Sequence, residues 1–147
     1  MDFKNPKILF FAIFILGIIG IIAYGYLKAI PPADNNKIMP KIEISPVSYD
    51  FGEVQFGKVV NYNFIVKNSG QTPLEIKRVA TSCGCTTAKV SQRIIEPGQS
   101  AELLVIYDTA AMGDGPHGKG QQERIIYVKS NDPNSPQTNV TISAYVK

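Results

Sequence analysis

Tryptophan is absent from this 147-residue chain, histidine occurs once and cysteine twice. Without tryptophan there is no Cys…Trp…Cys framework of the antibody kind. Two cysteines cannot supply the four protein ligands that close a structural zinc site. The single histidine, His117, stands between Pro116 and Gly118, so no Ser-His-Asp arrangement with a rigidly held imidazole can be assembled around it. Basic runs are missing as well. The net charge is +3 and no run of lysines or arginines exceeds the Lys77-Arg78 pair, whereas nucleic-acid binders concentrate positive charge on a face or stripe. Nucleic acid is therefore excluded as a partner, and no catalytic constellation is in sight.

Charge is also lacking from Ile8 to Leu27, twenty residues reading ILFFAIFILGIIGIIAYGYL. A helix of that length spans about 30 Å, the thickness of a bilayer's hydrocarbon core. A buried helix of a globular protein would show a polar stripe, and this segment is apolar all round. Tyr24 and Tyr26, followed by Lys28, suit the membrane interface. The apolar run exceeds that of a cleaved signal peptide, and the nearest small-x-small triplet lies inside it. The expectation is a single-pass signal-anchor with the lipid bilayer as partner. Residues 1–7 would form a short basic cytoplasmic head, 8–27 the transmembrane helix and 28–41 a Pro-rich tether. Residues 42–147 would form the folded domain, held outside the cytoplasm at the cell membrane, where cysteines can oxidise.

Helical periodicity is missing from the rest. Valine, isoleucine, tyrosine and threonine occur in short runs cut by turn residues, which is strand vocabulary. In VNYNFIVKNSG, Val60, Tyr62, Phe64 and Val66 face one way while Asn61, Asn63 and Lys67 face the other. IIEPGQSAELLVIYDT is a Pro-Gly turn feeding a strand apolar on both faces, hence a central one. In the last strand, Val140, Ile142, Ala144 and Val146 share the inward phase. Seven or eight such strands without a helix predict an all-β, immunoglobulin-like two-sheet sandwich, with a small closed barrel as the competing fold.

Four stretches together, ISPVSYDFGEV, FIVKNSGQTPLEIKRVATSCGCTT, IEPGQSAELLVIYDT and YVKSNDPNSP, resemble an uncharacterised family of bacterial envelope proteins with a central Ser-Cys-Gly-Cys-Thr. That family is similar in turn to the PapD, ASH and major sperm protein sandwiches. The resemblance covers roughly residues 43 to 146. It implies the fold and an envelope setting, and it carries no activity. The Gly-rich insertion after Tyr107-Asp108-Thr109 departs from the shorter common pattern.

Two stretches remain as candidates for chemistry. GDGPHGKG, comprising Gly113, Asp114, Gly115, Pro116, His117, Gly118, Lys119 and Gly120, fits Gly-x4-Gly-Lys. It lacks the Ser or Thr that holds magnesium and the helix that must follow a P-loop. Nucleotide binding is set aside in favour of a mobile hairpin loop offering a contact site. The other stretch is TSCGCT. Cys83 and Cys85 share a face in an extended strand, with Cα atoms about 6.6 Å apart, at the limit for a disulfide. Gly84 permits a bend that brings them closer. Three readings stay open: a weakly stabilising disulfide, buried thiols acting as small hydrophobes, or a two-sulfur Cu(I) site. Cys-x-x-Cys redox pairs sit at a helix start, and none is predicted here.

The chain therefore reads as a membrane-anchored interaction or structural module of the cell envelope. No cofactor is expected, and the partner would be an envelope protein or cell-wall component. A thiol-based redox or Cu(I)-handling protein is the alternative.

Overall fold

The computed structural model describes residues 6–29 and 38–147, with side chains described within the first segment for residues 14–25. The chain divides into two units, Met1–Asn35 and Asn36–Lys147. In the first, α1 runs over Pro6–Ala29. Here the expectation of a transmembrane anchor is corrected. Among the described residues no helix is long and apolar enough to cross a membrane. With that expectation go the lipid bilayer as partner, the single-pass topology and the cell-membrane localisation. Of the residues assigned to the interface, Tyr24 is exposed. Tyr26 and Lys28 lie outside the described side chains, as residues 1–5 of the head and 30–37 of the tether lie outside the described chain.

The second unit is the expected all-β sandwich. A four-stranded sheet has the order β1-β3-β7-β5 and a five-stranded sheet the order β2-β9-β8-β4-β6. The strands are β1 (Ile42–Ser45), β2 (Ser48–Val54), β3 (Val59–Asn68), β4 (Leu74–Thr81), β5 (Thr86–Val90), β6 (Ile94–Ile95), β7 (Ser100–Asp108), β8 (Gly120–Ser130) and β9 (Gln137–Val146). Neighbours within each sheet are antiparallel, except that β2 runs parallel to β9. At Pro46, which has no N–H to give a ladder, the chain leaves one sheet and enters the other. The β2 register shifts between Asp50 and Glu53, where Gly52 takes φ 67° and donates its N–H to Asp50 Oδ1 at 2.9 Å. Only glycine adopts that backbone at no steric cost.

The period of two puts one face of every strand inward. Phe64 and Val66 of β3, Leu103 and Val105 of β7, Ile126 and Val128 of β8, and Val140 and Ile142 of β9 fill the space between the sheets. Fully burying one such side chain stabilises by about 1.5–3 kcal/mol. β7 is central in its sheet, consistent with apolar residues on both its faces.

Two buried polar side chains tie down strand ends. Asn68, with no exposed area, donates Nδ2 to Thr72 O at 2.8 Å and Ile95 O at 2.9 Å. Its Oδ1 accepts from the N–H of Gly70 at 2.9 Å. The Asp132 carboxylate accepts from the N–H groups of Ile42 (3.0 Å), Asn134 (2.9 Å) and Ser135 (3.1 Å). Main-chain groups at strand ends are satisfied in this way where burial denies them water.

Candidate functional site

β4 and β5 belong to different sheets, and residues 82–85 carry the chain between them. The turn is built by its own hydrogen bonds. Ser82 N–H reaches Ile125 O at 2.9 Å, and Ser82 Oγ accepts Ile125 N–H at 3.0 Å. Thr81 Oγ1 lies 3.0 Å from Cys83 O and 2.9 Å from Thr86 O, and its single proton serves one of them at a time. Cys83 and Cys85 are joined by a disulfide, their Cα atoms 5.3 Å apart. Cys83 is half-buried and Cys85 is buried in the core cluster. Gly84 is not at positive φ, and a Cβ there would meet nothing within 4 Å.

The redox and Cu(I) alternative is corrected: with both sulfurs in the disulfide no thiolate stands ready to bind Cu(I), and nothing around the pair supports a redox role. Neither sulfur is a free thiol. The guanidinium of Arg124 stands against Cys85 Sγ, with Nε at 3.0 Å, and a cation there disfavours a metal cation at the same sulfur. Among the described residues no group of three or more His, Cys, Asp or Glu could hold a metal ion.

Arg124 reaches further than the disulfide. Its Nη2 donates to His117 O at 2.9 Å and to Gln122 Oε1 at 2.6 Å, and Nη1 to Glu123 O at 2.8 Å. Gln122, buried beside it, donates Nε2 to Lys119 O at 2.6 Å and Pro116 O at 3.3 Å. The Gly-rich loop is thus held through its main chain at Pro116, His117 and Lys119. Turns within it add Gly118 N–H and Lys119 N–H to Gly115 O, at 2.9 and 3.0 Å. Gly118 is buried, and a Cβ there would collide with the carbonyl of Gly113, so only glycine fits. Lys119 Nζ stands 5.0 Å from the centre of the Phe56 ring, a cation–π contact. The side chains of Asp114, Pro116, His117 and Lys119 remain exposed. The result is a loop fixed through its backbone with its side chains turned outward.

Under this end lies Tyr107. Its ring centre is 5.7 Å from the Arg124 guanidinium carbon, and its buried hydroxyl has no hydrogen-bond partner among the described residues. Burial pushes its pKa above the ordinary value, against the pull of the Arg124 charge.

The structure therefore brings together the two stretches singled out in the sequence, TSCGCT and GDGPHGKG, through Arg124, which no sequence motif marked. A signal for it exists. Gln122 and Arg124 share the inward phase of β8 with Ile126 and Val128, and a polar residue in that phase must find partners.

Comparison with known proteins places the chain in a family. The profile described as "Protein of unknown function (DUF1573)" matches residues 42–146, and the chain belongs to that family. Among curated proteins none matches. Among solved structures, a protein of unknown function from Porphyromonas gingivalis W83 is similar at 25% identity and TM-score 0.66, covering 78% of this chain and 50% of its own. The chain thus spans about half the length of that relative. The ASH/PapD-like domain 7 of human CEP192 is similar at 13% identity and TM-score 0.56, covering 80% of this chain and 92% of its own. The periplasmic chaperone SfaE is similar at 11% identity and TM-score 0.50, covering 73% of this chain and 58% of its own. The last two speak for the fold alone: a PapD/ASH-like sandwich.

Proposed function

We propose that the sandwich is a non-catalytic binding module of the bacterial envelope, working outside the cytoplasm, and that it meets a protein ligand through the end formed by loop 113–120 and turn 82–85. The observation that carries the reading is Arg124. One side chain ties the disulfide, the loop backbone and β8 together, which holds the exposed loop side chains in one arrangement before any ligand arrives. Such pre-organisation lowers the ordering cost of binding, and binding residues gather on loops carried by a rigid scaffold. The setting is supported by the disulfide, since disulfides persist in oxidising compartments. The periplasmic location of SfaE, a protein of the same fold, agrees with it.

The test is site-specific photocross-linking in cells. A photoreactive residue at His117 is expected to capture a protein that the same residue at Ser135, on the Asp132-bound turn, does not. Equal capture at both positions, or none at His117, refutes the reading.

A further inference from the structure

The outer face of the five-stranded sheet carries a feature that the contact end does not explain. Arg78 of β4 and Lys129 of β8 are register partners, both exposed. Like charges directly opposite on one face of a sheet destabilise it. Among the described residues neither forms a salt bridge: those present are Lys41–Glu43 and Lys147–Glu53. The two cations line a groove of about 370 Å³ together with Ala80, Thr81, Tyr127 and Gln137.

The groove borders an unfinished edge. On the side of β4 away from β8, β6 pairs with Leu74 and Glu75 only. Arg93 extends the cover slightly, its carbonyl accepting Ile76 N–H at 2.7 Å and its Nη1 reaching Lys77 O at 3.2 Å. Cover stops there. Because Ser82 N–H bonds Ile125 O and antiparallel pairs alternate, Ala80 and Arg78 exchange the ladder bonds with β8. The N–H and C=O groups of Val79 and the N–H of Thr81 turn the other way. None of these has a hydrogen bond to another described residue.

We propose that this edge receives an extended acidic peptide segment of a partner protein, added as a strand beside β4. Its main chain would bond Val79 and Thr81, and a glutamate in the outward phase would place its carboxylate beside Arg78, with the Lys129 ammonium reaching toward it from one strand further in, about 10 Å away across the sheet. The two observations are independent, one concerning main-chain groups and the other charge. Strand addition takes affinity from the main chain and specificity from alternate side chains. An arriving carboxylate also relieves the repulsion between the two cations.

The test uses the full chain and a labelled ten-residue peptide alternating glutamate and valine, followed by fluorescence anisotropy. Saturable binding is expected, with hydrogen exchange slowed at the Val79 and Thr81 amides. Replacing glutamate by glutamine in the peptide is expected to weaken binding at least about tenfold, and so is the Arg78→Gln, Lys129→Gln pair. Because those positions face solvent, the variant keeps the core, and a melting temperature at or above that of the wild type verifies that. A peptide N-methylated at alternate residues keeps its charge but loses its donors, and it should not bind. Binding of the N-methylated or glutamine peptide at undiminished affinity overturns the proposal. So does the absence of any binding up to millimolar peptide, or displacement by inorganic polyphosphate at lower concentration than the peptide itself.

Discussion

Replacing Arg124 by methionine separates the tie from the packing. Methionine keeps an unbranched apolar stem against Tyr107 but loses every donor. Two bonds then vanish from partly buried surroundings, those to Gln122 Oε1 and Cys85 Sγ. The bonds to His117 O and Glu123 O are exposed and contribute less. Hydrogen bonds involving a charged group contribute about 1.5–3 kcal/mol each when shielded. Discounted for partial exposure and for the weak sulfur acceptor, the expected loss is about 2–3 kcal/mol. For a domain of this size that lowers Tm by about 8–12 °C, at about 4 °C per kcal/mol. Thermal unfolding followed by circular dichroism is the assay, with Arg93→Met as the control, since Arg93 makes one exposed side-chain bond, to Lys77 O. If Arg124→Met melts within about 2 °C of the control, the guanidinium does not hold this end together and the reasoning fails.

Asn68→Ala leaves the Thr72 and Ile95 carbonyls and the Gly70 N–H without partners. It should cost about 3–5 kcal/mol by denaturant titration, and a loss under about 1 kcal/mol would show that the site collapses or hydrates freely. The Cys83→Ser, Cys85→Ser pair opens a ring of so few residues that the loss should be only about 1–2 kcal/mol, with the chain still folded; an unfolded variant contradicts this. Tyr107→Phe removes a buried hydroxyl that has no partner among the described residues, so stability at neutral pH should be unchanged or raised by about 1 kcal/mol. Because burial raises the folded-state pKa of Tyr107, the unfolded chain loses that proton first. Its contribution is complete below about pH 10, the unfolded value, and is lost as pH climbs toward the folded pKa. The phenylalanine variant should show a shallower alkaline decline, and identical declines argue against the burial effect.

The sandwich was legible wherever a strand has one wet face. Phe64 and Val66 in β3, and Val140, Ile142, Ala144 and Val146 in β9, show their inward phase by strict alternation. β7 showed its central place by apolar residues on both faces. What stayed hidden depends on contacts between segments distant in sequence. Nothing local tells that the chain changes sheets at Pro46, or that Asn68 is a buried tie and not merely a turn residue. The cysteine pair and the Gly-rich loop were each visible, but their meeting was not, because it runs through Arg124, thirty-nine residues from Cys85. Apolar content drew the N-terminal segment toward a bilayer span that the described residues do not supply.

Loop 113–120 is, on this account, a fixed part of the sandwich and not a tethered hairpin. Native-state hydrogen exchange of the full chain at the Gly118 and Lys119 amides, both bonded to Gly115 O, tests that claim most directly. The account predicts protection of these amides in the wild type and faster exchange in Arg124→Met, beyond the change at core amides such as Val105. Exchange at the rate of an unstructured peptide in the wild type would contradict it.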